Sequence, residues 1–176
     1  GKIQPSEALS FGIITSILSI MILGLSINWL AASLLAFTIF FYAVVYTIWL
    51  KRHTVQNIVI GGAAGAFPPI IGHICATGSI GVEALILFLI IFLWTPPHFW
   101  ALALVNKSDY RAANIPMLPI IYGDMATRKN IFIYSLLLMP CAYLPWILNY
   151  SGNFYMIVVT LLNIEFIRRS FNVLKE

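Results

Sequence analysis

Long apolar runs, broken at intervals by short polar clusters, dominate the chain. Six of them reach spanning length, at about residues 8–26, 28–50, 58–78, 82–105, 131–149 and 154–172, against the ~20 residues a helix needs to cross a bilayer core. The polar clusters alternate in kind. Lys2 precedes the first run, Lys51 and Arg52 separate the second from the third, Lys107, Arg111, Arg128 and Lys129 lie between the fourth and fifth, and Arg168, Arg169 and Lys175 end the sixth. The intervening connections, Ser26 to Asn28, Ala76 to Gly81 and Asn149 to Asn153, hold neither Lys nor Arg. The pattern predicts an all-α polytopic transmembrane bundle of about six spans, with the basic loops on the cytoplasmic side or its organellar equivalent.

Within the runs, local signals mark where helices start, bend and stop. Pro5-Ser6-Glu7 reads as a helix start with an acid in the first turn. The second run ends in an aromatic belt, Phe40 to Trp49, followed by Lys51-Arg52, which interfacial anchoring and a helix C-terminus also explain. Gly61, Gly62 and Gly65 allow close approach of a neighbouring backbone or a ligand. Pro68-Pro69 must bend or break the third span, and Pro96-Pro97 recur in the fourth. Irregular backbone at that depth survives only when buried in protein or lining a cavity, so a pocket between spans three and four is expected. The segment 106–130 is long for a membrane connection and contains the apolar Ile115 to Pro119, so it is expected to fold back as a cap over the cytoplasmic mouth. Asp124 reads as the N-cap of span five. Glu165 reads as the ion-pair partner of Arg168 and Arg169.

Composition agrees with the pattern: 61% of the 176 residues are hydrophobic and 9% charged, with mean hydropathy +0.93. The net charge of +4 reports topology and gives no reason to expect nucleic acid. Cys75 and Cys141 lie within apolar spans without metal-ligand spacing. The three histidines do not form one metal site. At ~1.5 Å per residue, His73 lies roughly 24 Å along span three from Asn57, whereas His98 lies only about 10 Å along span four from Val105.

One mouth gathers a chemical kit. Lys51, Arg52, Lys107, Arg111, Arg128 and Lys129 are cations for phosphate oxygens, Asp109 can hold a hard divalent ion such as Mg²⁺, and Tyr46, Trp94, Phe99, Trp100 and Tyr110 offer aromatic faces. Transfer of an allylic group from a diphosphate requires these three: neutralisation of the leaving group, a bridging metal, and a water-poor aromatic wall beside the developing cation. An anion transporter would show the same residue types.

The order of residues is more specific. Tyr46 to Thr54, then Gln56 to Pro69 with Asn57 and the glycines, then Trp94-Thr95-Pro96-Pro97-His98-Phe99-Trp100, then Asp109-Tyr110 and Ile115-Pro116-Met117-Leu118-Pro119, resemble the protohaem IX farnesyltransferases, or haem O synthases, a branch of the UbiA-type intramembrane prenyltransferases. The resemblance covers essentially the whole chain. It implies a bundle of about nine spans in the family, each of the ~20 residues a bilayer demands, and farnesyl transfer from farnesyl diphosphate to a vinyl carbon of haem B, with addition of water, in terminal-oxidase biogenesis. By position it implies Asp109 as metal ligand and catalytic residue and Lys51 and Arg52 as catalytic and diphosphate-binding. Lys107 and Arg111 would also bind diphosphate, and Tyr46, Asn57, His98 and Tyr110 would belong to the substrate or haem pocket. Mg²⁺ would be the metal, haem B and farnesyl diphosphate the substrates, the lipid bilayer the surround and haem A synthase a protein partner, in a bacterial inner membrane or the mitochondrial inner membrane.

His53 and Val55 stand where the resembled sequences usually have Arg and Pro. The first acidic motif of that family is also missing, since Glu7 is the only acid before Glu83. Residues 1–176 are therefore read as a single prenyltransferase domain truncated at both ends, and the chain alone is expected to be inactive. A quinone-pathway prenyltransferase and a non-enzymatic membrane protein remain as alternatives.

Overall fold

The structure, a computed structural model, describes residues 3–176 and is helical throughout its regular parts. Lys2, the first of the topology-setting cations, lies outside the described residues. Helix α1 (Pro5–Ser26) starts where the sequence places it, with Pro5 in the first turn and the Glu7 carboxylate accepting the Gln4 backbone N–H at 2.9 Å. Asn28 caps α2 (Trp29–Phe40) by accepting from the N–H groups of Leu30 and Ala31 at 2.7 and 3.3 Å. The chain then continues without a break as a π-helical stretch, Phe41–Leu50. Its wider ladder is seen at both side chain and backbone: the Thr47 hydroxyl donates to Tyr42 O at 2.7 Å, and Lys51 N–H donates to Tyr46 O at 2.8 Å, each five residues back.

The third span is two helices, α3 (Asn57–Ala66) and α4 (Pro68–Thr77), and the break falls where the prolines predict it. Pro68 and Pro69 occupy the first turn of α4, where their missing N–H groups have no intrahelical partner to lose. Pro96 and Pro97 behave differently. They stay inside an unbroken α5 (Val82–Val105) and are fully buried there among neighbouring helices, the environment in which membrane helices tolerate lost backbone bonds.

The segment expected to be a loop is largely helical. It forms α6 (Lys107–Ala112) and α7 (Leu118–Ile121), and α8 (Gly123–Ile147) begins eight residues before the apolar run of span five. Asp124 is therefore not an N-cap. Tyr122 holds that position, Gly123 turns the chain at φ 82°, and the Asp124 carboxylate accepts from Lys107 Nζ at 2.6 Å. Helix α9 (Asn153–Lys175) completes the described chain, with Glu165 paired to Arg168 and Arg169 at 2.7 and 2.6 Å as expected.

Among the described residues, five helical spans are long and apolar enough to cross a membrane: Pro5–Ser26, Trp29–Leu50, Asn57–Thr77, Val82–Val105 and Gly123–Ile147. The sixth expected span corresponds to α9, as long as the others but charged through Glu165, Arg168 and Arg169 in its second half. Packing runs in sequence: α1 on α2, α2 on α4, α3 and α4 on α5, α5 on α8 and α8 on α9. Two buried clusters hold the ends. Ile58, Trp100, Ala103, Met117, Leu118 and Ile131 tie the cap to α3, α5 and α8. Ala31, Ile70, Ile74 and Ala84 join α2, α4 and α5 near the far end, where Asn28 comes close to Gly78. The connections rich in Lys and Arg thus gather at one end, and the uncharged turns 26–28 and 78–81 meet at the other. Side chains such as Phe11 and Phe154, 71% and 80% exposed, project from the bundle as they would into hydrocarbon.

Candidate active site

A cavity of about 490 Å³ opens between the second, third and fourth spans under the cap. Its wall is assembled from distant parts of the chain. Tyr42, Tyr46 and Lys51 come from the π-helical stretch and its end, Asn57, Ile58, Gly61, Gly62 and Gly65 from α3, Ile91, Trp94, Thr95 and Phe99 from α5, and Tyr110, Ile115 and Met117 from the cap. The proline-based expectation of a pocket between spans three and four holds, and the second span supplies a further side.

The π-helical stretch accounts for the placing of Lys51. In an α-helix, five steps of about 100° leave residues i and i+5 roughly 140° apart around the axis; the wider turn of an i→i+5 ladder brings them onto the same side. Tyr46 and Lys51 therefore share the cavity side, and Tyr42 stacks obliquely on Tyr46 with centroids 5.3 Å apart. Small residues let the wall close. A Cβ on Gly61 would stand 2.5 Å from the Tyr46 ring, and one on Gly62 would stand 2.8 Å from Thr95 Cγ2, so both glycines are required by close approach. A Cβ on Gly65 would meet nothing within 4 Å.

Asn57 is the buried polar centre of the wall, 1% exposed. Its amide nitrogen donates to the carbonyls of Lys51 at 3.2 Å and Pro116 at 3.4 Å, clipping the end of the second span to the cap. Its Oδ1 is buried without a partner. The two carbonyl acceptors fix which way the amide faces, so that the oxygen is left as an unpaired, buried acceptor.

The residues singled out from sequence divide cleanly. Tyr46, Lys51, Asn57 and Tyr110 line the cavity together. Arg52, Asp109 and Arg111 are exposed on the cap side and do not line it; Asp109 accepts only the Ser108 hydroxyl, at 3.3 Å, and adjoins Tyr110 at the rim. Lys107 is drawn away by Asp124. Arg128 and Lys129 also lie off the wall, as does Trp100, which is buried in the cap cluster. His98 is exposed and stacks on Trp94, centroids 4.5 Å apart, with an edge contact to Phe99 at 5.1 Å. It therefore backs two wall residues instead of lining the cavity. His73 sits at the other end beside Gly81 and Glu83, as the depth argument requires. Tyr42 and Thr95 were not foreseen as wall residues; the four-residue spacing of Tyr42 and Tyr46 was the available signal.

Among the described residues there is no group of three or more metal-ligating His, Cys, Asp or Glu side chains. Asp109, exposed and outside any ion pair, has the chemistry for one corner of a Mg²⁺ site, and such sites use one or two carboxylates plus substrate phosphate oxygens.

The sequence matches the UbiA prenyltransferase family over residues 1–176. It is 59% identical over 174 residues to protoheme IX farnesyltransferase 2 of Mesorhizobium japonicum, covering 99% of this chain and 55% of that protein. It is 58% identical over 167 residues to the protoheme IX farnesyltransferase of Brucella ovis, covering 95% of this chain and 54% of that protein. The chain thus spans about half the length of the curated relatives it matches, 55% and 54%. No solved structure matches it. A match across every residue, together with identity of this level along nearly the whole chain, shows that it belongs to the UbiA prenyltransferase family.

Proposed function

We propose that the protein carrying this chain transfers the farnesyl group of farnesyl diphosphate to a vinyl carbon of haem B, forming haem O. The observation that carries the reading is the single cavity that collects Tyr46, Lys51, Asn57 and Tyr110 from three separate parts of the chain, in relatives of which the matching proteins are named protoheme IX farnesyltransferases.

The residues divide the work. The Lys51 ammonium, alone among the described cations in lining the cavity, holds the diphosphate as charge builds on its leaving oxygen. Tyr46, Trp94, Phe99 and Tyr110 flank the allylic carbon with aromatic faces that favour a cation and keep water from it. Asp109, next to Tyr110 at the rim, would hold Mg²⁺ with the diphosphate oxygens, and the ion would supply further neutralisation of the leaving group. Arg52 and Arg111, exposed near the mouth, draw the diphosphate in by long-range attraction. His98 acts by bracing Trp94 and Phe99.

The test is haem O formation by the whole protein, given haem B, farnesyl diphosphate and Mg²⁺. Product is expected from the whole protein and none from the 176-residue chain alone, which brings one free carboxylate to the rim. Prenylation of 4-hydroxybenzoate in place of haem would instead make it a quinone-pathway enzyme. Asp109→Asn is expected to lower turnover by at least ~100-fold, the scale of a lost electrostatic contact to the transition state; unchanged turnover would remove Asp109 from the site. We place the protein in a bacterial inner membrane with its basic loops cytoplasmic, and its product with haem A synthase as recipient. Maleimide labelling of single cysteines at Ser79 and Ser108 should report opposite faces, and co-purification should report the haem A synthase.

A further inference from the structure

Asn57 lines the cavity, its Oδ1 is a buried acceptor that nothing in the protein satisfies, and its orientation is fixed by the two carbonyls that hold the amide nitrogen. A buried acceptor of this kind calls for a donor from a ligand or a water molecule. On the reading above, the organic substrates offer none. Diphosphate oxygens are acceptors at neutral pH, the farnesyl chain is hydrocarbon, and the pyrrole nitrogens of haem are occupied by iron. The remaining reactant, water, is a donor.

We propose that Asn57 holds the water molecule that completes the reaction, and is in that sense a positioning residue for the hydration step; the inference rests on the haem O reading. The allylic C–O bond of farnesyl diphosphate breaks and the diphosphate leaves with the electron pair. The terminal vinyl carbon forms the new C–C bond, which leaves a cation on the vinyl carbon attached to the porphyrin. A water O–H donates to Asn57 Oδ1, which aims the water's lone pair at that cation. The C–O bond forms, and the surplus proton passes to a diphosphate oxygen, the amide being too weak a base to take it. Without a held water, the same cation loses a proton from the adjacent new CH₂ and yields an alkene one water lighter.

Asn57 in this role controls product identity, a quantity separate from rate. In the whole protein, Asn57→Leu and Asn57→Asp are compared with wild type by mass spectrometry of the farnesylated haem. Because the ratio of hydrated to dehydrated product is read on whatever product forms, partial loss of folded protein does not alter it. Asn57→Leu is expected to raise the dehydrated fraction at least tenfold. Asn57→Asp, which loses the amide donations as Leu does but keeps an acceptor, is expected to retain the hydrated product. An unchanged ratio in Asn57→Leu overturns the proposal, as does the same shift in both variants. Complete loss of farnesyl transfer in Asn57→Leu at wild-type membrane levels overturns it too, since the residue would then act before the C–C bond. A raised Mg²⁺ requirement with an unchanged ratio assigns the amide to the metal and likewise overturns it. Failure of wild type to farnesylate haem B overturns the underlying reading instead.

Discussion

Three glycines on α3 show how one residue type serves different ends. Gly61 lies under the Tyr46 ring, Gly62 under Thr95, and Gly65 borders open space. Gly61→Ala must push the tyrosine out of the wall, a change of the overpacking kind that costs about 1–3 kcal/mol. Gly65→Ala adds a methyl group where nothing stands within 4 Å, and the gain in helix propensity is roughly 0.5–1 kcal/mol. Thermal unfolding in detergent should therefore shift down for the first and level or up for the second; equal shifts would contradict the geometry. The sequence could announce the need for small residues here but not which of the three was crowded, because the crowding side chains come from the second and fourth spans. Asp124 departs from its expected role for a similar reason: local rules give it a cap, whereas Lys107, 17 residues away, takes the carboxylate. His98, which the resemblance puts in the pocket, stacks on the neighbouring indole of Trp94.

At the scale of elements, the prolines were legible and the π-helical stretch was not. Pro68-Pro69 and Pro96-Pro97 carry their constraint in the sequence itself, although only burial explains why the second pair leaves α5 unbroken. The run from Trp29 to Leu50 is apolar on every side, so no periodicity distinguishes its α-helical first half from its wider second half. The difference should be measurable. Hydrogen bonds of a π-helix are a rare and strained alternative to the α ladder, so backbone amides of 42–50 are expected to exchange with deuterium at least ~10-fold faster than those of 33–40, the effect of about 1.4 kcal/mol in opening free energy. Equal protection across the whole span would mean that the ladder is α-helical in solution. The cap was foreseen as a structure over the mouth; its helices α6 and α7 were not, since six and four residues are too few to show a period.

For the whole molecule, the alternation of charged and uncharged connections anticipated the two ends of the bundle, with the cap cluster at one and the Asn28–Gly78 approach at the other. What joins α8 to α9 was not visible, because its polar residues are single and scattered. Ser135 meets Ser170 at 2.7 Å, the Tyr143 hydroxyl donates to Thr160 at 2.9 Å, the Tyr155 hydroxyl donates to the Ala142 carbonyl at 2.8 Å, and the Trp146 indole N–H donates to Asn153 at 3.1 Å. Each hydroxyl carries one proton, so one serine donates to the other while the second donates to a carbonyl of its own helix, Ile131 or Phe166; losing either serine leaves the remaining one that carbonyl as a partner. A double-mutant cycle of Ser135→Ala and Ser170→Ala, followed by unfolding in detergent, is expected to give a coupling of about 0.6 kcal/mol, typical of interhelical bonds in membranes. A coupling indistinguishable from zero would mean that the two hydroxyls do not meet.

These rungs also act as a vernier. They occur at unequal intervals, from Ser135–Ser170 at one end to Trp146–Asn153 at the other, so a shifted alignment of the two helices does not satisfy them together. Apolar side chains in lipid would permit a slide of one turn at little loss; here such a slide would break every rung at once. A residue inserted between Ser135 and Ala142 would therefore set the Ser135–Ser170 rung against the other three, which could no longer form together with it.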